Sequence, residues 1–254
     1  MIKKRVIVCL DVRDAKVTKG VRFKNNKDIG DPVLLAQHYY ETGADELVLY
    51  DITASSEHRG IMIDVVKRVA QNIFIPFSVG GGVRSVYDMS LLLAAGAEKI
   101  SVNSAAVHNP SIIDNGAKKF GNQCIVLGMD ALADPSMPSG YRVLIKGGRE
   151  KTEKDVRAWA IEAVERGAGE IVLNSIDADG TRQGYECTLV KMISEAVTVP
   201  VVASGGAGTP QDLVEVFRKG RADAALVASM LHYGHYTVSQ IKDVLARACI
   251  DVRK

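Results

Sequence analysis

The chain has 254 residues, 47% of them hydrophobic and 24% charged, which is enough for one large core and suits a single α/β barrel. A formal net charge of +2 gives no basis for nucleic acid or an anionic membrane as a partner. The four cysteines, Cys9, Cys124, Cys187 and Cys249, are scattered without a Cys-x-x-Cys pair, so they read as reduced thiols of a cytoplasmic protein, two of them inside apolar strands.

Lys3, Lys4 and Arg5 precede an apolar run that stops at Asp11, too short for the core of a signal peptide, and no later run approaches a membrane span. Arg5 to Val12 reads as the first strand, with Asp11 at its C-terminal end. Asp14 to Lys24 predicts a long loop or hairpin with Lys19 near its middle. Asp31-Pro32 opens a helix, because Asp is a good N-cap and Pro a good first residue, and Gly43 closes it. Glu46 to Asp51 is the second strand and Gly60 to Asn72 a helix. Ile75 to Val79 is the third strand, followed by a helix over Ser85 to Ala95. Lys99 to Asn103 is the fourth strand, and a helix follows Asn109-Pro110. Cys124 to Asp130 is the fifth strand. Leu132 to Gly148 reads as an excursion with a hairpin, strand-like at Tyr141 to Ile145, and Thr152 to Arg166 as a helix. Glu170 to Ser175, Val199 to Ser204 and Ala222 to Ala228 are the last three strands. Helices over Tyr185 to Val197, Pro210 to Lys219 and Thr237 to Ala248 alternate with them. Strict alternation with short connections predicts parallel strands joined by right-handed crossovers, and eight units close into a (βα)8 TIM barrel. An open doubly wound sheet is the alternative.

The sequence also repeats. Ile75 to Gly82 is echoed by Val199 to Gly206, 124 positions later, and Asp88 and Asp212 follow at the same offset. Gly43 to Ile52 and Gly167 to Ile176 share six of ten residues at that offset. After one inserted residue, Val102-Asn103-Ser104 matches Val227-Ala228-Ser229. The first strand then pairs with the fifth, Asp11 with Asp130. The reading is one domain, residues 1–254, built from two duplicated half-barrels, about 1–120 and 121–254.

In such barrels the active site lies at the C-terminal ends of the strands, where Asp11 and Asp130 fall. A carboxylate there is costly to bury without a partner; each could cap a turn, but a symmetric pair facing one cavity points to general acid/base work. Each apolar run ends in glycines that deliver a turn to a helix N-terminus, where backbone N–H groups can approach an anion. Gly81, Gly82, Asn103 and Ser104 predict one phosphate site, and Ser204, Gly205, Gly206, Ala228 and Ser229 the other. The ligand would carry a phosphate at each end. Asp51, Thr53, Asn174, Ser175, Asp177, Asp179 and Gly180 end the second and sixth strands, some as substrate contacts and others as caps or turn residues. Lys19 is either a solvated loop lysine or a cation that closes over a phosphate. Arg5, Glu46, Lys99 and Glu170 stand at strand starts, two of each sign; spacing favours a salt-bridged plug of the barrel floor over a polar port.

The motifs Cys9-Leu10-Asp11-Val12, Gly30-Asp31-Pro32, Asp51-Ile52-Thr53-Ala54-Ser55, Val79-Gly80-Gly81-Gly82-Val83-Arg84-Ser85 and Ala203-Ser204-Gly205-Gly206-Ala207-Gly208 resemble the cyclase subunits of imidazole glycerol phosphate synthase. The resemblance covers nearly the whole chain. It implies a barrel, without cofactor or metal, that takes ammonia from a separate glutaminase subunit docked on the N-terminal face. The ammonia reacts with a ribulosyl-linked aminoimidazole carboxamide ribotide bearing two phosphates. The products are imidazole glycerol phosphate and the aminoimidazole carboxamide ribotide. It further implies that Asp11 and Asp130 are the acid/base pair, that Lys19 lies in a substrate-covering loop, and that Arg5, Glu46, Lys99 and Glu170 form an ammonia gate rather than a plug. Val8, Ala15 and Met230-Leu231 depart from the family pattern but leave both aspartates and the four floor charges in place. Two rivals share the barrel: the sister sugar isomerase of the same pathway, which needs no ammonia port, and an ammonia-channelling paralogue of nucleotide-sugar amidation. From a different class, a non-catalytic activator of a glutaminase would not need both aspartates.

Overall fold

Backbone pairing carries the apolar runs into a closed ring. The computed structural model describes residues 3–21, 24–52 and 61–253. Its strands, in chain order, are β1 (Arg5–Arg13), β2 (Lys16–Val21), β3 (Lys24–Gly30), β4 (Glu46–Asp51), β5 (Phe77–Gly80), β6 (Lys99–Val102), β7 (Ile125–Ala133), β8 (Tyr141–Ile145), β9 (Glu150–Asp155), β10 (Glu170–Ser175), β11 (Val201–Ser204) and β12 (Ala224–Val227). The eight strands β1, β4, β5, β6, β7, β10, β11 and β12 pair in parallel in that order, and β12 returns to β1. Closure leaves no open edge, and helices between the strands cover the outside. The chain is therefore a (βα)8 barrel.

Both faces of these strands are buried, which explains why the runs are almost continuously apolar. Outward residues such as Val6, Val8, Leu10, Leu47 and Leu49 pack under the helices. Inward residues Ile7, Val48, Val126, Val172, Val202, Ala224 and Leu226 fill the lumen with Cys9.

Positions that repeat in the sequence take equivalent places in the hydrogen-bond register. Ile7 sits opposite Glu46 and Asp11 opposite Tyr50. In the other half Val126 sits opposite Glu170 and Asp130 opposite Asn174. Leu47 pairs with Phe77 just as Ile171 pairs with Val201. The helices Val86–Ala94 and Pro210–Arg218 also start alike. Asp88 accepts from the backbone N–H groups of Arg84 and Ser85 at 2.9 and 3.0 Å, and Asp212 from those of Gly208 and Thr209, both at 2.8 Å. These carboxylates satisfy donors that would otherwise be orphaned at the helix starts. The anion-binding helix N-termini expected directly after the glycines are thus already capped from within.

Several local expectations shift. The stretch after β1 is a hairpin in which β2 pairs antiparallel with both β1 and β3, and β3 runs on to Gly30. The later excursion is larger than expected: β8 pairs with the extended end of β7, and β9 with β8. β9 occupies Thr152–Asp155, where a helix was predicted; the helix starts at Val156, with the Asp155 carboxylate accepting from Ala158 N–H at 3.0 Å. Cys124 closes a short 3-10 turn rather than lying in a strand. Two short helices, Ser104–His108 and Ser229–His232, were not anticipated. None of the four cysteines is in a disulfide.

The glycine turns are sterically fixed. Gly81 has φ +88°, and a Cβ there would lie 2.1 Å from the Asp51 carbonyl oxygen; Gly43 has a similar φ of +94° with nothing within 4 Å. In urea unfolding, Gly43→Ala should cost about 1–2 kcal/mol, the penalty for a left-handed alanine, and Gly81→Ala clearly more. Equal losses would show that the Gly81 turn relaxes freely.

Candidate active site

The C-terminal ends of the barrel strands surround a single mouth. One cavity there is lined by both Asp11 and Asp130, together with Asp51, Gly81, Gly82, Asn103, Ser104, Asn174, Asp179, Gly180, Ser204, Gly205, Gly206, Ala228 and Ser229. The fold thus brings together every mouth residue singled out above except Lys19, Thr53, Ser175 and Asp177. Lys19 lies on β2 opposite Lys27, and its side chain falls outside the described residues, as does Thr53. Ser175 and Asp177 serve the chain itself: the Ser175 hydroxyl accepts from Ala178 N–H at 3.3 Å, and Asp177 from Ala133 N–H at 2.8 Å.

The two aspartates share a register position but not an environment. Asp130 is held on both oxygens, by Asn174 Nδ2 on Oδ1 and Asn103 Nδ2 on Oδ2, each at 3.0 Å. Ser204 Oγ donates to Asn174 Oδ1 at 3.1 Å and fixes that amide. Burial is the largest influence on Asp130 and, with the nearby charge of Asp179, outweighs the two amides and Gly148 N–H, so its pKa is pushed up to about 6. Asn103 Oδ1 is buried without a hydrogen-bond partner among the described residues. A half-turn of that amide would present Oδ1 to a protonated Asp130, so Asn103 can support either charge state. Asp11 is also buried, and its Oδ1 accepts from the Cys9 thiol at 3.4 Å. Its register neighbour is Tyr50, whose hydroxyl lies 3.2 Å from Ser101 Oγ. Burial raises the Tyr50 phenol well above its usual range, so it stays protonated.

Sequence reasoning missed other residues of the mouth. Tyr50, Ser101, Lys146, Gly147 and Arg182 all line it. Lys146 and Gly147 come from the tip of the β8–β9 hairpin, where Lys146 N–H donates to Ser104 Oγ at 3.0 Å. The consecutive glycines Gly147 and Gly148 were the only available sign that this hairpin makes a tight turn. Arg182 carried no signal, because its counterpart at the 124-residue offset, His58, has different chemistry.

At the opposite end, the four floor charges close a ring. Arg5 donates to Glu46 Oε2 at 2.7 Å and to Glu170 Oε1, and Lys99 Nζ donates to Glu46 Oε1 and Glu170 Oε2, both at 2.8 Å. Burial alone would lower the Arg5 pKa, but the two glutamates more than offset it and raise the value. The ring stands directly below the apolar lumen.

The comparisons with known proteins agree with this geometry. The family described as histidine biosynthesis protein matches residues 5–237. Proteins named imidazole glycerol phosphate synthase subunit HisF are 63% identical in Syntrophobacter fumaroxidans and 61% in Desulforapulum autotrophicum, over 100% of this chain and 99% of each relative. A third, from Desulfatibacillum aliphaticivorans, is 63% identical over 100% of this chain and 98% of its own. The chain belongs to the HisF family. It is therefore an enzyme subunit of histidine biosynthesis, and membership implies a partner subunit in the synthase. No helix among the described residues is long and apolar enough to cross a membrane, and no group of three or more His, Cys, Asp or Glu among them could hold a metal ion.

The raised Asp130 pKa has a consequence for stability. A carboxyl that titrates near 6 when folded and near 4 when unfolded contributes stability below about pH 4 that is lost as pH rises through 6. Asp130→Asn removes that titration. The melting temperature of the variant minus that of the wild type should therefore be larger at pH 7 than at pH 4. A difference that does not change with pH would show that Asp130 titrates normally.

Proposed function

We propose that the chain is the cyclase of its synthase, with Asp11 and Asp130 as the acid/base pair. Ammonia from a glutaminase subunit converts the bisphosphorylated ribulosyl aminoimidazole carboxamide ribotide to imidazole glycerol phosphate and the aminoimidazole carboxamide ribotide. The observation that carries this reading is the pair of buried carboxylates in one cavity, flanked by two symmetry-related sets of glycine loops.

The substrate spans the mouth, with one phosphate at Gly81, Gly82, Asn103 and Ser104 and the other at Gly205, Gly206, Ala228 and Ser229. Backbone N–H groups of the glycine turns and of the first residues of the two short helices face the anions. Asp51, Asn174, Asp179 and Gly180 contact the sugar and ribotide parts, and Lys19 covers the bound substrate. The reacting carbonyl lies between the aspartates. Ammonia adds to it and water leaves. Asp130 donates a proton to the departing ribotide nitrogen as its C–N bond breaks, because a carboxyl with a pKa near 6 retains a useful protonated fraction at neutral pH. Asp11 takes the proton released on ring closure. Each single aspartate replacement therefore stops a different proton transfer, and substrate binding through the phosphate loops is spared.

The glutaminase docks on the N-terminal face, over the ring of Arg5, Glu46, Lys99 and Glu170. Neutral ammonia crosses the ring and the apolar lumen, a route that excludes ammonium because an unpaired charge there is costly. The chain works in the cytoplasm. The sister isomerase reading lacks any use for the floor ring, and the non-catalytic reading lacks any use for two preserved carboxylates.

Asp11→Asn and Asp130→Asn should each lower ammonium-driven turnover by about 10² or more with little change in substrate binding. Full activity in either variant would overturn the assignment of that aspartate. Lys99→Gln should lower glutamine-driven turnover in the complex and spare ammonium-driven turnover at the same substrate concentration. A parallel fall in both would place Lys99 outside the ammonia path.

A further inference from the structure

The mouth described above has an imbalance of charge. Four aspartates, Asp11, Asp51, Asp130 and Asp179, line it, yet its ligand would carry two phosphates. Among the described lining residues only Lys146 and Arg182 are cationic. Lys146 Nζ is paired with Glu150 at 2.6 Å, so much of its charge is already met. Arg182 faces no carboxylate among the described ion pairs.

Arg182 lies on the loop after β10, in a left-handed conformation with φ +59° that a non-glycine residue adopts only when its surroundings hold it there. The surroundings are the second glycine loop. A Cβ on Gly208 would sit 2.4 Å from the Arg182 carbonyl oxygen, and Gly184 N–H donates to Gly206 O at 2.9 Å. The backbone of Arg182 is therefore packed on the loop that follows β11. Its side chain reaches to the segment behind the short helix Ser229–His232. There the guanidinium lies over the Tyr233 ring, 5.2 Å from its centroid, and Nη1 is 3.3 Å from His235 Nε2. Arg182 thus spans the two loops that flank the second phosphate site.

We propose that Arg182 is the cationic arm of the second phosphate site, held ready by Tyr233 and His235. This rests on the cyclase reading and names a further binding residue for it. An aromatic face stacks on the guanidinium plane and leaves its edges exposed. Of its five N–H donors, the His235 bond uses one. The remaining edge can meet a phosphate in the bidentate geometry that lysine cannot offer. Stacking also limits the rotamers lost on binding.

The test uses the full-length chain in the ammonium-driven assay. Arg182→Gln should raise the substrate KM by roughly tenfold to a hundredfold, the range for loss of one charge-assisted phosphate contact, and leave kcat within about threefold. Arg182→Lys should restore part of the loss. The two products carry one phosphate each and act as separate probes of the two halves: Arg182→Gln should weaken inhibition by one product and leave the other unchanged. Tyr233→Leu, which keeps the arginine but removes its platform, should raise KM in the same direction by a smaller factor. An unchanged KM in Arg182→Gln, or equal weakening of both products, would overturn the proposal while leaving the cyclase reading intact. If the wild-type chain shows no turnover, the cyclase reading fails instead. Inorganic phosphate binding by calorimetry would then still judge Arg182, with wild-type affinity in Arg182→Gln counting against it.

Discussion

The two-residue pleat of a closed parallel barrel decides where each polar group can stand. Alternate side chains enter the lumen, and those between them enter the apolar layer under the helices. β1 sends Arg5, Ile7, Cys9 and Asp11 inward in sequence, while Val6, Val8 and Leu10 face the helices. A single strand thus supplies a floor charge, two lumen residues and a mouth carboxylate. β10 repeats the order with Glu170, Val172 and Asn174. A slip of one residue would push Asp11 and Arg5 into the helix layer, where no partner awaits them, and burying those charges would cost several kcal/mol. The apolar residues between the charges therefore fix the register that puts the floor ring and the mouth on one axis.

On this frame, equivalent positions of the two sequence repeats carry different side chains around the aspartates. The positions that give Asp130 its amides, Asn103 and Asn174, are Ala228 and Tyr50 around Asp11. Gly128 stands where the first half has Cys9. The same backbone therefore presents one carboxylate fastened through both oxygens and another beside a thiol and a phenol. Divergence at a few inward positions is enough to give the two carboxylates different hydrogen-bond partners.

The barrel and most of the mouth were legible in the sequence because they depend on local patterns. Apolar runs of strand length, glycine turns and an offset of 124 residues define strands and pair them across the halves without knowledge of any distant contact. Matching the first strand of each half, 119 positions apart, then paired Asp130 with Asp11. What stayed hidden depended on non-local packing or lacked a repeat. The β8–β9 hairpin has polar residues at Glu150 to Asp155 that look helical on their own, and they form a strand only because β8 offers an edge. Arg182 has only His58 as its counterpart in the first half, and its neighbours Tyr233 and His235 are some fifty positions away in the chain. The floor charges could be listed from strand starts, but spacing favours a plug, and only the family resemblance implies a gate.

Hydrogen bonding does bear on that last distinction. Two buried ionic clusters lie at the floor of the barrel. In one, Asp45 Oδ1 accepts from Lys242 Nζ at 2.8 Å and Oδ2 from the backbone N–H of Val6, also at 2.8 Å. Asp45 cannot move without orphaning a buried main-chain donor, and it ties the helix Val238–Arg247 to β1, so this pair is structural. In the other, the carboxylates of Glu46 and Glu170 have only Arg5 and Lys99 as described partners. Each glutamate is shared by both cations, so one bond of the ring can open while the other still neutralises the charge. Apolar residues of similar volume would often be as stable there, or more so by roughly 1–4 kcal/mol. The ring beneath the apolar lumen therefore differs from the Asp45–Lys242 pair: its bonds can open one at a time without stranding a backbone donor.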